Sequence, residues 1–250
     1  MSWRSLRWWL AGAVVYLVFL LATLPASYIT GWLRHRVPEV QLAGVQGSVW
    51  TGNAVELAVA GNSWGRIRWC FDWAGLVSGH PGYRLHLEGT GLDLHARVAG
   101  NTHHLLLRDV EGHLDLQRLD PWLPLPPDAI RGDLQLDLHR VELASAHPIA
   151  ADGVVSLANT TVSWPQVLTL GSYQLKLMTR AGSGISGTLL DRSGPLALQG
   201  SLQLEPDGHY AISGTLASRD RADVALNKLL DFMPVNASGD HQFSFSGQWQ

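Results

Sequence analysis

The segment GDLQLDL, residues 132–138, contains the pattern that decides the fold: a glycine followed by a leucine at every second position. Because successive side chains of a β-strand point to opposite faces of the sheet, Leu134, Leu136 and Leu138 share one face and the polar residues between them share the other. The same Gly-x-Leu-x-Leu unit, or a close variant of it, recurs at residues 91–98, 110–116, 153–157, 171–177 and 200–204. This recurrence predicts a sheet with one apolar and one polar face.

The segments between these strands carry glycine, asparagine and serine turn signals, which favour direct connections between neighbouring strands. About ten to fourteen short strands joined in this way predict an antiparallel β-meander. Its apolar face must be buried, so we expect the mainly β domain to curl into a roll or an open groove. One short helix in the C-terminal half is predicted over residues 219–233, with Asp220 as its cap, Pro234 after its end and an apolar stripe of Val224, Ala225, Leu229 and Phe232.

The N-terminal stretch of the chain is apolar nearly throughout, and it contains no charged side chain between Arg7 and Arg34. About 20 such residues cross the hydrocarbon core of a bilayer as a helix. Residues 24–26 (LPA) lack a small-x-small cleavage site, so we predict an uncleaved, single-pass signal-anchor rather than a cleaved signal peptide. Its predicted membrane contacts are Trp8, Trp9, Leu17, Phe19 and Leu24.

Charges on either side of this segment give its expected orientation. Arg4 and Arg7 favour a cytoplasmic N-terminus, while Arg34 and Arg36 offset part of that bias. We expect a cytoplasmic stub and transmembrane signal-anchor at residues 1–33, a linker at 34–41 and an exported β-domain at 42–250. A division of that domain into two halves near residues 119–130 is an alternative, because four prolines lie in residues 121–127 and proline cannot donate to a sheet.

The composition excludes several function classes. The formal net charge is −3, so the chain has no basic field for nucleic acid. The sequence contains no phosphate-binding loop, no serine nucleophile elbow and no zinc-protease motif, and we predict no catalytic residues and no cofactor. Cys70 is the single cysteine, and its apolar neighbours predict a small buried side chain rather than a reactive thiol.

Histidine and tryptophan are the two residue types that invite a binding hypothesis. Most histidines of the middle third alternate with leucine, so they are interpreted as outward polar residues of strands, and no metal site is predicted. These histidines are His86, His95, His103, His104, His113 and His139. Most of the tryptophans in one set are interpreted as core residues, and the set is Trp50, Trp64, Trp69 and Trp73. The alternative is a glycan binder or an envelope enzyme that uses these histidines, the outward aspartates or these tryptophans.

Several stretches of this sequence resemble a known family. They are LPA at residues 24–26, GVQGSVWTG at 44–52, WGRIRW at 64–69, GPLALQG at 194–200 and GHYAISG at 208–214. With these features the chain, from about residue 8 to 250, resembles type II secretion system protein N, also called general secretion pathway protein N. The resemblance implies a single-pass protein of the Gram-negative inner membrane with a periplasmic β-domain. It also implies an accessory, non-enzymatic role in exporting folded proteins across the outer membrane.

The partners implied by the resemblance are the inner-membrane platform proteins of the system and, as a further partner, the outer-membrane secretin, in addition to the lipid bilayer. We expect the domain to act as an interaction scaffold through exposed strand edges and through one aromatic turn, which offers backbone groups and an aromatic side chain. The residues of this predicted partner-binding turn are Gly47, Ser48, Val49, Trp50 and Gly52. The alternative function is that a leucine-lined groove shields lipid acyl chains in the cell envelope.

Overall fold

The structure is a computed structural model that describes residues 12, 16, 19–20, 22–27, 31, 39–77, 81–100, 104–122, 126–144, 147–163, 167–180, 184–219, 226–227, 230, 233–236 and 239–248. The strands are β1 (Val40–Ala43), β2 (Gln46–Gly47), β3 (Thr51–Val59), β4 (Asn62–Phe71), β5 (Gly82–Gly89), β6 (Leu92–Gly100), β7 (His104–Asp115), β8 (Ile130–Ala144), β9 (His147–Val162), β10 (Leu168–Arg180), β11 (Gly184–Ser193), β12 (Leu196–Leu204), β13 (His209–Ser218) and β14 (His241–Gln248). A short helix α1 (Trp73–Val77) follows β4, and a 3-10 helix (Leu116–Trp122) follows β7.

All the described strands belong to one sheet, and every pair of neighbours is antiparallel. The order is β1-β3-β4 and then follows the sequence to β14, while β2 pairs with the start of β3. Within the described residues β1 and β14 do not pair with each other, so the sheet is open. The mainly β, antiparallel fold class is therefore confirmed. The strand β11 was not indicated by the sequence pattern.

The leucine face forms continuous rows across the sheet. One row crosses every strand from β3 to β14 and contains only apolar side chains and glycine. Cross-strand neighbours of this kind are the packing units of a sheet. The row consists of Ala54, Ile67, Leu87, Leu94, Gly112, Leu136, Val155, Leu175, Leu189, Gly200, Gly214 and Phe243.

The sheet curls strongly near its centre. Strands β9 and β11 are both neighbours of β10, yet Cα atoms of β9 and β11 approach within 8 Å. In a flat sheet these two strands would be two strand spacings apart, about 9.6 Å, so the shorter distance shows that the sheet bends at β10. Curling also brings apolar side chains of one face together, since Ala151, Ile185 and Leu204 from three different strands form one buried cluster. The prediction of a curled sheet agrees with this geometry.

One end of the apolar face is covered by the segment that precedes the sheet. Ala26 packs against Ala54 of β3 and Trp69 of β4, and the three residues are 1%, 0% and 7% exposed. Such close packing leaves no room for a larger side chain at Ala26 or Ala54. The N-terminal segment therefore contacts the sheet directly at residue 26.

The other end of the apolar face is covered by the segment between β13 and β14. Leu226, Asn227 and Leu230 are helical, and Leu226 and Leu230 pack against Tyr173 of β10 and Leu196 of β12. Leu226 and Leu230 are four residues apart and lie on the same side of a helix. The predicted cap and apolar stripe of this helix lie outside the described residues, so only its buried pair is placed.

The predicted membrane anchor lies mostly outside the described residues. Trp8, Trp9 and Leu17 are among the residues that are not described, whereas Phe19 is helical and exposed and Leu24 is half-buried. Across the part of the chain that is described, no helix has both the length and the apolar composition needed to cross a bilayer. The single-pass anchor stays a prediction.

The structure bears differently on the predicted linker at residues 34–41 and on the proline-rich stretch near residues 119–130. β1 begins at Val40, so the last residues of the expected 34–41 linker belong to the sheet. The proline-rich stretch joins β7 to β8 through the 3-10 helix, and β7 and β8 pair directly from His104 opposite Ala144 to Asp115 opposite Asp133. The sheet is thus continuous across this stretch. A division into two folding units near 119–130 stays a prediction.

Candidate functional site

The predicted partner-binding turn is a compact loop between β2 and β3. Gly47 pairs with Gly52, the Ser48 amide donates to the Thr51 carbonyl at 2.8 Å, and the Thr51 amide donates to the Ser48 hydroxyl at 3.2 Å. Gly47 has a φ of +92°, a conformation that favours glycine over residues with a Cβ atom. We call this feature the 47–52 turn: Gly47, Ser48, Val49, Trp50, Thr51 and Gly52.

Gly52 is required in this turn because an indole ring lies against its backbone. A Cβ atom at Gly52 would lie 2.6 Å from the Trp69 ring and 2.5 Å from the Gln46 carbonyl oxygen. The ring is held there because Trp69 Nε1 donates to the Ser48 carbonyl at 3.1 Å. The unusual Gly-Ser-Val-Trp-Thr-Gly sequence is therefore explained first by packing and turn geometry.

The 47–52 turn also holds residues 24–26, which lie within the 1–33 segment predicted as the membrane anchor. The Val49 amide donates to the Leu24 carbonyl at 3.0 Å, and the Ala26 amide donates to the Gly47 carbonyl at 3.1 Å. Pro25 and Ser48 form an antiparallel bridge between these two bonds. Two backbone bonds and the buried Ala26 fix residues 24–26 to the sheet. This contact was not anticipated from the sequence, because the linker was expected only at residue 34.

Trp50 belongs to an aromatic cluster rather than standing alone. Its ring centroid lies 5.1 Å from that of Phe71 and 5.2 Å from that of Trp73, and Phe71 is 5.3 Å from Tyr83. Burial raises the pKa of Tyr83 above its ordinary value. Trp50 is half-buried, whereas Trp73 is 57% exposed. Trp73 was interpreted as core, and the structure shows that it is the exposed ring of this cluster.

A concave pocket of about 860 Å³ opens on the polar face beside the 47–52 turn. Its polar lining comes mainly from arginine and histidine, and Arg68 is paired with Glu88 at 2.7 Å. Cys70 lies in this lining, half-buried between Thr51 and Arg84, because it occupies the polar face of β4. The expectation of a small buried side chain at Cys70 is therefore wrong. The basic lining residues are Arg66, Arg68, Arg84, His86 and His95.

The outer edge of β14 is the second surface of interest. The Gln242 amide points away from β13, because it donates to the Pro234 carbonyl at 2.7 Å. Backbone groups alternate along an antiparallel strand, so the amides and carbonyls of Ser244 and Ser246 also point outward. Among the described residues, no strand pairs with this edge beyond the single bridge between Val235 and His241. Ser244 and Ser246 thus form a short open edge.

Comparison with known proteins identifies the family. The family model described as "Type II secretion system (T2SS), protein N" matches residues 38–246. The chain belongs to this family. The residues of this T2SS protein N that the family model matches include the 47–52 turn, the polar pocket and most of β14, whereas residues 1–37 lie outside the match.

Three relatives carry the name type II secretion system protein N. The relative from Klebsiella pneumoniae is 27% identical over 251 residues, covering 95% of this chain and 92% of the relative. The relative from Aeromonas hydrophila is 30% identical over 216 residues, covering 81% and 82%. The relative from Vibrio cholerae is 22% identical over 260 residues, covering 98% and 99%. No solved structure matches the chain.

Proposed function

We propose that this protein is an accessory, non-catalytic component of the type II secretion system whose β-sheet acts as an interaction scaffold. In this proposal the apolar stretch that ends at about residue 24 anchors the chain in the inner membrane with a cytoplasmic N-terminus. The residues that follow it join the anchor to the sheet, and the β-domain that begins with β1 at Val40 is periplasmic. The partners are inner-membrane platform subunits and the outer-membrane secretin. Family membership and the names of the three relatives support a place in this system.

The observation that carries the scaffold proposal is the open edge of β14. Its eight residues, His241–Gln248, contain no lysine, arginine, aspartate, glutamate or proline. Soluble proteins usually protect such edges with charges, proline or a covering segment. Phe245 is also 62% exposed next to this edge. An uncharged edge with an exposed aromatic side chain suits a partner that adds one strand to the sheet.

The 47–52 turn is proposed as a second contact region, with a division of roles among its residues. Gly47, Ser48 and Val49 use backbone groups to hold residues 24–26, so they position the region near the membrane. The aromatic contact with a partner is proposed to come from the Trp50 cluster, through exposed Trp73. Exposed aromatic rings that are held rigidly are frequent anchors at interfaces.

A proline substitution at Ser244 tests the edge. Ser244→Pro removes only an outward amide, and proline is tolerated on edge strands where its missing donor faces solvent. We expect the sheet to remain folded while strand addition is blocked, so that a strain carrying only this variant secretes less type II substrate into the medium. Ser244→Ala keeps the amide and is the matched control, with secretion expected at the wild-type level.

A second variant separates edge pairing from folding. Phe245→Pro removes an amide that points toward β13, so it is expected to destabilise the sheet itself. Protein level and thermal midpoint are measured for all three variants in detergent. The proposal is contradicted if Ser244→Pro is folded and secretes normally, since the outer edge then has no role in secretion.

The lipid-shielding function is the second candidate, because the leucine row of the apolar face is half-buried along much of its length. This candidate predicts that phospholipid is bound in defined stoichiometry by protein purified without added lipid. Mass spectrometry of extracts from the purified protein measures it. Stoichiometric lipid together with unaffected secretion by Ser244→Pro would favour this candidate over the scaffold.

A further inference from the structure

Three potential metal ligands converge on the polar face of β5 and β6. His86 Nε2 lies 2.8 Å from Asp93 Oδ1, and His95 Nε2 lies 3.3 Å from the same oxygen. One ligand atom from each of the three side chains lies within 4.8 Å of the other two. The side chains are 27%, 44% and 57% exposed for His86, Asp93 and His95, so an ion in solution has access to them.

The hairpin between β5 and β6 brings these side chains together. Gly89 pairs with Leu92 across a two-residue turn, and this register places His86 directly opposite His95. Asp93 is two residues before His95 and so shares its face. Their imidazole rings stack with centroids 4.0 Å apart. The hydrogen bond from His86 is the main cause that holds the pKa of Asp93 below its ordinary value, and the charges of His86, His95 and His113 act in the same direction.

The three residues belong to a larger block of metal-binding side chains. In one cross-strand row Glu88 of β5 lies opposite Asp93, which lies opposite His113 of β7. In the adjacent row on the same face, His86 lies opposite His95, which lies opposite Glu111. Histidine and carboxylate thus fill every position of a block three strands wide and two rows deep. Arg68, which lies directly opposite His86, is paired with Glu88 at 2.7 Å, while Arg66 and Arg84 line the same pocket as His86 and His95.

We propose that His86, Asp93 and His95 bind a divalent transition-metal ion, with Zn²⁺ as the ion that this ligand chemistry suits best. Bonds of about 2.0–2.1 Å in a tetrahedral Zn²⁺ site place neighbouring ligand atoms about 3.3 Å apart. The two distances to Asp93 Oδ1, 2.8 and 3.3 Å, are close to that value. Binding requires the stacked imidazole rings to open so that both Nε2 lone pairs point at the ion. Glu111, His113 or water completes the coordination.

A second cluster in the described residues has a similar convergence of ligand atoms, with His209 Nδ1 2.9 Å from Asp207 Oδ2, but it lies within one turn instead of across a row of strands. Its three residues, Glu205, Asp207 and His209, are all exposed and lie in one five-residue stretch that forms a hairpin turn. His209 donates its backbone amide to Asp207, an arrangement that a turn alone explains. This cluster therefore serves as the internal control rather than as a second site.

Metal titration of the full chain in detergent micelles tests the proposal. Co²⁺ is added to chelator-treated protein and its visible absorption is followed, and Zn²⁺ is then used to displace it. We expect one equivalent of Co²⁺ to bind and Zn²⁺ to displace it. Asp93→Asn should weaken binding at least about tenfold. The double variant His86→Ala/His95→Ala should lose stoichiometric binding, whereas the control His209→Ala should bind as wild type does.

A second measurement keeps the test independent of damage to the fold. An ion that binds only the folded chain raises its thermal midpoint in proportion to the logarithm of ion concentration over Kd. Zn²⁺ should therefore raise the midpoint of wild type and His209→Ala but not of the double variant. The proposal is overturned if wild type binds no stoichiometric Co²⁺ or Zn²⁺, or if the folded double variant binds as tightly as wild type. Either result leaves the secretion scaffold untouched.

Discussion

Gly52→Ala is expected to destabilise the protein, because the new methyl group has no space. It would lie 2.5 Å from the Gln46 carbonyl oxygen and 2.6 Å from the Trp69 ring, and the carbonyl belongs to the backbone and cannot rotate away. Overpacking of this kind costs about 1–3 kcal/mol. If the indole of Trp69 is displaced, its hydrogen bond to the Ser48 carbonyl is also lost, which costs about 1 kcal/mol of stability. Alanine restricts the unfolded chain more than glycine does, and this offsets about 0.4–1 kcal/mol of the loss.

The net loss is therefore about 1–3 kcal/mol, which corresponds to a fall in Tm of about 2–4 °C for each kcal/mol in a chain of this size. Tryptophan fluorescence during heating of the full chain in detergent measures it. Gly200→Ala is the matched control, since a Cβ there would meet its nearest atoms at 3.0 and 3.5 Å, and its Tm should fall less than half as far. A Tm of Gly52→Ala within about 1 °C of wild type would refute the packing explanation of the 47–52 turn, because even the smallest expected loss exceeds that shift.

Two further predictions concern the far end of the apolar face. Leu226→Ala should lower the free energy of unfolding by about 2–5 kcal/mol, because it opens a cavity against Tyr173 and Leu196. Chemical denaturation measures this free energy. The control Val167→Ala, at an exposed position, should leave the free energy of unfolding nearly unchanged. Burial, with a smaller contribution from Asp191, raises the pKa of Tyr173 to about 12, so absorbance at high pH should show one tyrosine that ionises after the others. Since unfolded tyrosine ionises near pH 10, stability should fall as pH rises from about 10 to 12, and a Tyr173 that titrates with the others would contradict its burial.

The fold was predictable where alternation is unbroken. Residues 132–138 alternate strictly, and the corresponding part of β8 lies in the sheet with its leucines on one face. The pattern fails at β-bulges, because an extra residue reverses the alternation. Asp109 in β7 has a positive φ of 49°, and the β8–β9 register shifts between Leu138 and Arg140. Strands β7, β8 and β9 therefore extend beyond the segments that period-two patterning indicates. In β11, Gly187 interrupts the apolar face and weakens the signal.

The candidate site was only partly predictable, because a cluster of side chains depends on the register between strands as well as on which face of the sheet each side chain occupies. Alternation with leucine correctly placed His86 and His95 on the polar face, but outward side chains were treated one at a time. The pair Thr90-Gly91 between two alternating strands is typical of a two-residue hairpin. Counting back from that turn pairs residue 86 with residue 95, so the sequence carried the signal for this contact.

The contact between residues 24–26 and the 47–52 turn had no such signal. It joins segments that are separated by more than twenty residues and depends on the small size of Ala26 and Ala54, which no local pattern indicates. The same applies to the exposure of Trp73, because large aromatic residues are buried more often than not. Tertiary packing decides both features.

In the proposed function, the open edge of this sheet at β14 contacts other subunits of the secretion system. The most direct measurement places a photo-crosslinking amino acid at position 245 of the full chain in its native envelope and identifies the adducts by mass spectrometry. The scaffold account predicts adducts with inner-membrane platform subunits or the secretin, and their loss when Ser244→Pro is added. Adducts with lipid alone, or subunit adducts that persist in a folded Ser244→Pro protein, would contradict it.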